Sequence, residues 1–119
     1  MALPVVKIGL RVDDLEKSLA FYETMLGMTV TDRFPQPDGT KNIFLDGGSV
    51  ILELMSGREP GEPQLHHIAL GAESTEAAAA MLEAKGATLT MAPVVVEETI
   101  HLADIQDPDG LRIRLFHRD

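Results

Sequence analysis

The chain of 119 residues carries ten Lys and Arg against nineteen Asp and Glu, a formal net charge of -9 with the four histidines neutral. That balance excludes a general nucleic-acid surface, whose affinity comes from clustered basic side chains, and the absence of cysteine excludes both a disulfide framework and thiolate chemistry. A single domain of this length buries roughly 65 % of its unfolded surface without covalent staples, and with neither a signal-peptide pattern nor an apolar run of membrane-spanning length, a soluble, cytoplasmic protein without membrane partners is expected.

Taken in order, the chain opens on a strand in which Ile8, Leu10 and Val12 form the apolar parity and Lys7, Gly9 and Arg11 the other. Asp13 or Asp14 can cap the next element, a helix, with Glu16 placed to close a capping box from Asp13. Leu15, Leu19, Tyr22 and Leu26 recur at helical spacing and predict the face packed on the sheet, and Gly27 ends the helix. Met28 to Phe34 reads as a strand, PQPDG at Pro35 to Gly39 as turns, and Lys41 to Leu45 as a second strand running into Asp46-Gly47-Gly48. Ser49 to Met55 alternates, with Val50, Leu52 and Leu54 against Ile51, Glu53 and Met55, as a half-buried strand does.

The Gly- and Pro-rich stretch SGREPGEP, Ser56 to Pro63, separates this unit from a copy of itself, for KIGLRVDDLEKSLAFYETMLG at Lys7 to Gly27 returns as HIALGAESTEAAAAMLEAKG at His67 to Gly86. The copy predicts a strand over Leu65 to Ala72, a helix over Thr75 to Lys85 capped by Ser74 or Thr75, and strands near Thr88 to Val95, Glu98 to Ile105 and Leu111 to Phe116. The Asp107-Pro108-Asp109-Gly110 turn takes the place of Asp46-Gly47-Gly48, which aligns Glu53 with Arg114 in the repeat. The expected fold is therefore α+β: one domain, residues 1–119, of two tandem βαβββ modules (about 1–57 and 64–119, linker 58–63). Each module covers one sheet face with its helix, and the bare faces of the mixed sheet curl into a cup.

RVDDLEKSLAFYETMLGM at Arg11 to Met28, HIAL at His67 to Leu70, and DPDG with the alternating strand at Asp107 to Phe116 resemble the vicinal oxygen chelate superfamily. That group contains glyoxalase I, extradiol dioxygenases, methylmalonyl-CoA epimerase and bleomycin-binding resistance proteins. The resemblance implies this fold, a homodimer, and, in metal-using members, one ligand from the first and one from the last strand of each module. Those positions fall on Lys7, Glu53, His67 and Arg114. Only Glu53 and His67 are ligand-competent; arginine cannot lose its proton, and lysine must be forced neutral beside a cation. No cofactor is expected, and a divalent metal held by Glu53 and His67 is the alternative.

Glu53 and His67 are the candidate acid–base groups. Lys7, Arg112 and Arg114 are candidate substrate-binding cations, and Met55 can adapt to an apolar ligand. The resemblance also turns Asp104 toward the cup, where it can pair with Arg114 or Arg112, and turns His101 toward the helix as a hydrogen-bonded core residue. On the cup parity Lys7, Arg11, Arg112 and Arg114 outnumber Glu53 and Asp104, so the expected ligand is an anionic small molecule. The function these residues support is a glyoxalase-like isomerase, epimerase or lyase moving a proton next to a carbonyl at a metal-free site. The rival readings are a non-catalytic small-molecule or antibiotic-binding protein that sequesters its ligand in the same fold, and a structural remnant with no ligand.

Overall fold

The computed structural model describes residues 3–119. Its contacts group Lys7–His66 into one compact unit and the described residues up to Val6 with His67–Asp119 into another.

In the first unit β1 (Val5–Arg11, of which Val5 and Val6 group with the second unit) runs parallel to β4 (Ile51–Met55), which pairs antiparallel with β3 (Lys41–Asp46) and through it with β2 (Thr29–Pro35), in the order β2-β3-β4-β1. Period-two alternation sends Ile43, Leu45, Leu52 and Leu54 to one face, where they bury with Val12 and with Leu19 of helix α1 (Leu15–Leu19). Asp14, not Asp13, is the N-cap: its extended backbone (φ -132, ψ 100) lets the carboxylate accept the Lys17 amide at 3.2 Å. Asp13 points instead at Arg58, 3.4 Å away, so the expected capping box does not form.

The helix does not continue regularly to Gly27. Over Ala20–Met25 it widens to a π-helix, with the Leu26 amide donating to the Phe21 carbonyl at 3.0 Å, and beyond its end the Met28 amide donates back to the Tyr22 carbonyl at 3.0 Å. One extra residue in the turn rotates the residues beyond it by about 100° from the α-helical phase. Leu15, Leu19 and Tyr22 keep their places against the sheet, but Leu26 is 52 % exposed and Met28 packs on the core in its stead.

The second unit repeats the plan. β5 (Leu65–Gly71) is parallel to β8 (Arg112–Arg118), which pairs antiparallel with β7 (Ile100–Gln106) and through it with β6 (Leu89–Val96), in the order β5-β8-β7-β6. Helix α2 (Thr75–Ala84), capped by the Ser74 hydroxyl at 3.1 Å from the Ala77 amide, lays Ala78 and Ala79 on Ala103 and Leu115. The hydrophobic pattern thus delivers the expected α+β arrangement of two βαβββ modules, one helix on each. Boundaries move by one or two residues: β4 starts at Ile51, β8 runs on to Arg118, and β7 starts at Ile100 because Glu97 and Glu98 (φ 50 and 66) make the β6–β7 turn. β6, last in its module's order, leaves Val94, Val95 and Val96 exposed. Among the described residues no helix is long and apolar enough to cross a membrane.

Gly71 marks a close approach in the second unit. Its amide donates to the Pro4 carbonyl at 2.8 Å, and a Cβ there would stand 2.8 Å from Val6 Cγ1. Valine is stiff about χ1 and gives way poorly. Gly71→Ala is therefore expected to cost about 1–3 kcal/mol by overpacking, read as a lower urea midpoint at unchanged m-value.

Candidate functional site

The parity of β1 and β4 that faces away from α1 carries buried polar groups. Lys7 is 2 % and Glu53 5 % exposed. Lys7 Nζ lies 2.7 Å from Glu53 Oε1 and 5.6 Å from the centroid of the Phe44 ring, and Phe44 is the β3 residue directly opposite Glu53. An ammonium this far from water is tolerated because a carboxylate and an aromatic face replace its hydration. Met55, two residues beyond Glu53 on the same strand face, is also buried. Arg11 is committed to the segment after β4: its Nη1 donates to the Ser56 carbonyl at 3.1 Å and its Nε stands 3.7 Å from Glu62. It braces that loop rather than adding charge to a ligand site.

In the second unit the equivalent parity of β5, β7 and β8 faces away from α2. Asp104 and Arg114 are directly opposite in the β7–β8 ladder. Arg114 donates twice to one carboxylate, Nε to Oδ1 at 2.8 Å and Nη2 to Oδ2 at 2.9 Å, the fork-on-fork geometry that gives the strongest charge-assisted contacts. Arg112 Nε lies 3.7 Å from the same Asp104 Oδ2. Around them opens a cleft of about 350 Å³, lined by Thr90, Met91, Asp104, Gln106, Arg112 and Arg114. His67 is fully buried, on the same side of β5 as Ala69, the residue in register with Arg114. The expected Asp104–Arg114 pairing is present, and Arg112 joins it.

The surroundings of His101 are not legible in the sequence. It faces α2 and is hydrogen-bonded as expected, but at 18 % side-chain exposure it lies between two carboxylates at the edge of the core rather than within it. Its Nδ1 is 3.0 Å from Glu76 Oε2 and its Nε2 3.0 Å from Asp119 Oδ2. Both ring nitrogens meet carboxylates, which calls for the doubly protonated imidazolium. The Asp119 and then the Glu76 hydrogen bonds raise the His101 pKa above its ordinary value, and the bond to His101 lowers each carboxyl. His117 stacks on His101 at 4.0 Å between centroids, and its Nδ1 accepts the Thr75 amide at 2.9 Å.

Glu76, His101 and His117 bring ligand atoms within 4.8 Å of one another. A metal shared by two imidazoles must lie near the plane of each ring, which parallel stacking prevents, and the Thr75 N–H already occupies the His117 lone pair. The arrangement suits a proton. The only signal in the sequence is the pairing of a His in β7 with one in β8; the carboxylates come from a helix start and from the residue after β8.

Lys7→Met or Glu53→Leu alone removes the 2.7 Å partner of a buried charge and is expected to cost about 3–5 kcal/mol, while the double variant recovers a coupling of about 0.5–3 kcal/mol in a denaturation cycle. Strict additivity would mean the charges do not interact. For the histidine cluster, a raised His101 pKa contributes stability below 6.5 that is lost as pH rises through the folded value, and the lowered carboxyls contribute above their ordinary 3.8 and 4.5 and lose it on acidification. The melting-temperature difference between the parent and His101→Gln should therefore peak between about pH 4.5 and 6.5.

The profile of the Glyoxalase/Bleomycin resistance protein/Dioxygenase superfamily matches residues 5–115. The chain is 32 % identical to the uncharacterized protein YwbC of Bacillus subtilis, over 99 % of this chain and 100 % of that one. It is also 32 % identical to a probable lactoylglutathione lyase of Vibrio cholerae, over 90 % and 85 %. Methylmalonyl-CoA epimerase of Streptomyces coelicolor, solved with 2-nitronate-propionyl-CoA, shares the fold at a TM-score of 0.80 and 22 % identity over 97 % of this chain and 94 % of that one. With the two βαβββ modules and a profile match over nearly its whole length, the chain belongs to the Glyoxalase/Bleomycin resistance protein/Dioxygenase superfamily, the vicinal oxygen chelate group.

Proposed function

We propose that the protein is a glyoxalase-like isomerase, epimerase or lyase that moves a proton next to a carbonyl of a small anionic substrate without a metal ion. The observation that carries this reading is the paired-guanidinium cleft of the second module, a local concentration of positive charge in a chain of net charge -9. Its lyase relatives and the epimerases that share its fold support the reaction class.

In this reading His67, which is buried and outside the cleft lining and so must be uncovered by substrate entry, accepts the proton from the carbon beside the carbonyl, and the electron pair moves onto the carbonyl oxygen. Arg114 and Arg112 stabilise the oxyanion, and return of the proton to the same or the neighbouring carbon completes the reaction. Glu53 is a weaker candidate base, since its Oε1 already accepts a charge-assisted bond from the Lys7 ammonium at 2.7 Å, which a substrate proton would have to displace. The metal-free element rests on the donor set. Lys7 and Arg114 are cations bound to carboxylates of their own modules, and neither offers a lone pair to a divalent ion.

The test is solvent deuterium exchange monitored by proton NMR, with 2-oxo acids, lactoylglutathione and methylmalonyl-CoA as probes. Exchange is expected to survive chelator, to fall about 100-fold or more in His67→Gln, and to vanish in Arg114→Glu, with elemental analysis of untagged protein giving far less than one metal per chain. One equivalent of tightly held metal whose removal stops exchange would overturn the metal-free element. Binding of cationic, bleomycin-like compounds without any exchange would replace catalysis by sequestration.

A further inference from the structure

The Asp104–Arg114 pair uses only part of the guanidinium. Nε and Nη2 are bound to Asp104, and Arg114 Nη1 has no acceptor among the described residues. An arginine presents two forks, the side formed by Nε with one terminal nitrogen and the end formed by both terminal nitrogens. Asp104 occupies the side fork. The end fork, Nη1 with the second hydrogen of Nη2, remains to be filled.

Two features make this more than a spare donor. Asp104 is 4 % exposed and stands opposite Arg114 in the ladder, so the guanidinium is held by a carboxylate that is itself fixed by the sheet. Arg114 also lines the cleft together with the Gln106 amide, the Thr90 hydroxyl and the Met91 thioether. These supply hydrogen-bonding groups and one apolar wall.

We infer that Asp104 is a positioning residue that holds Arg114 side-on, so that the end fork of Arg114 receives the planar carboxylate of a small monocarboxylic acid. The inference rests on the proposed anionic substrate and deepens it by naming the recognised group and the edge that reads it. A fixed fork accepts two coplanar oxygens in parallel and gains little from a spherical anion, which meets one N–H as well as another. Asp104 then lowers the overall pull of the cleft on anions while raising its discrimination among them. The alternative, in which Asp104 competes with the ligand for Arg114, predicts the opposite response to its removal.

The experiment is calorimetric titration of the full chain with pyruvate and, separately, with bromide, for the parent, Asp104→Asn and Arg114→Lys. The parent is expected to prefer pyruvate. Asp104→Asn keeps an acceptor but loses the fork and is expected to lower the pyruvate-to-bromide affinity ratio about tenfold, and Arg114→Lys to lower it at least as much. Mere loss of stability would weaken both anions together and leave the ratio unchanged, and an unchanged ratio overturns the positioning role. A pyruvate-to-bromide ratio that rises in Asp104→Asn establishes competition for the fork and likewise overturns it. A parent that binds neither anion defeats the anionic-substrate reading itself, a result distinct from both.

Discussion

A charge taken out of water must meet its opposite inside the protein, and both modules are arranged around that requirement. In the first, Lys7 and Glu53 are almost wholly buried and satisfy one another at 2.7 Å. In the second, Asp104 is as deeply buried and is satisfied by Arg114. Such pairs seldom add net stability, because desolvation offsets most of the attraction. Their consequence is positional: each side chain has one orientation in which its charge is answered, so the sheet fixes where the polar groups stand.

The modules share a strand order but not a chemistry. The first uses an ammonium, a point charge that one carboxylate and one aromatic face can largely satisfy. The second uses a guanidinium, whose donors exceed what one carboxylate can take and which lines an open cleft. Two copies of one plan thus answer a buried carboxylate in corresponding modules with two different cations.

The repeat made most of this legible. Alternation in β4 and β8 put Glu53 and Arg114 on the face away from each helix, and the register bears that out through Gly9 opposite Glu53 and Ala69 opposite Arg114. What escaped depends on one-residue details. Asp13 and Asp14 are equally good caps in composition, and only the path of the chain after Val12 selects Asp14. The π-helical turn keeps the apolar spacing of an α-helix in sequence while rotating Leu26 out of the core. Glu97-Glu98 lacks the Gly or Asn that announces a positive-φ turn. The His101 cluster joins three separated segments, so no local pattern could point to it.

The three adjacent valines of β6 have a bearing on how the protein keeps company with itself. An exposed, β-branched strand at the end of a module's sheet is a template for strand addition, and Val94, Val95 and Val96 form such a segment. The chain flanks it with Pro93, which cannot donate to a ladder, and with Glu97 and Glu98, whose left-handed backbone turns the strand away and whose charges repel a second copy. Colloidal restraint here is electrostatic and therefore conditional. It weakens wherever salt screens the surface or acid discharges its carboxylates, while the apolar strand is unchanged.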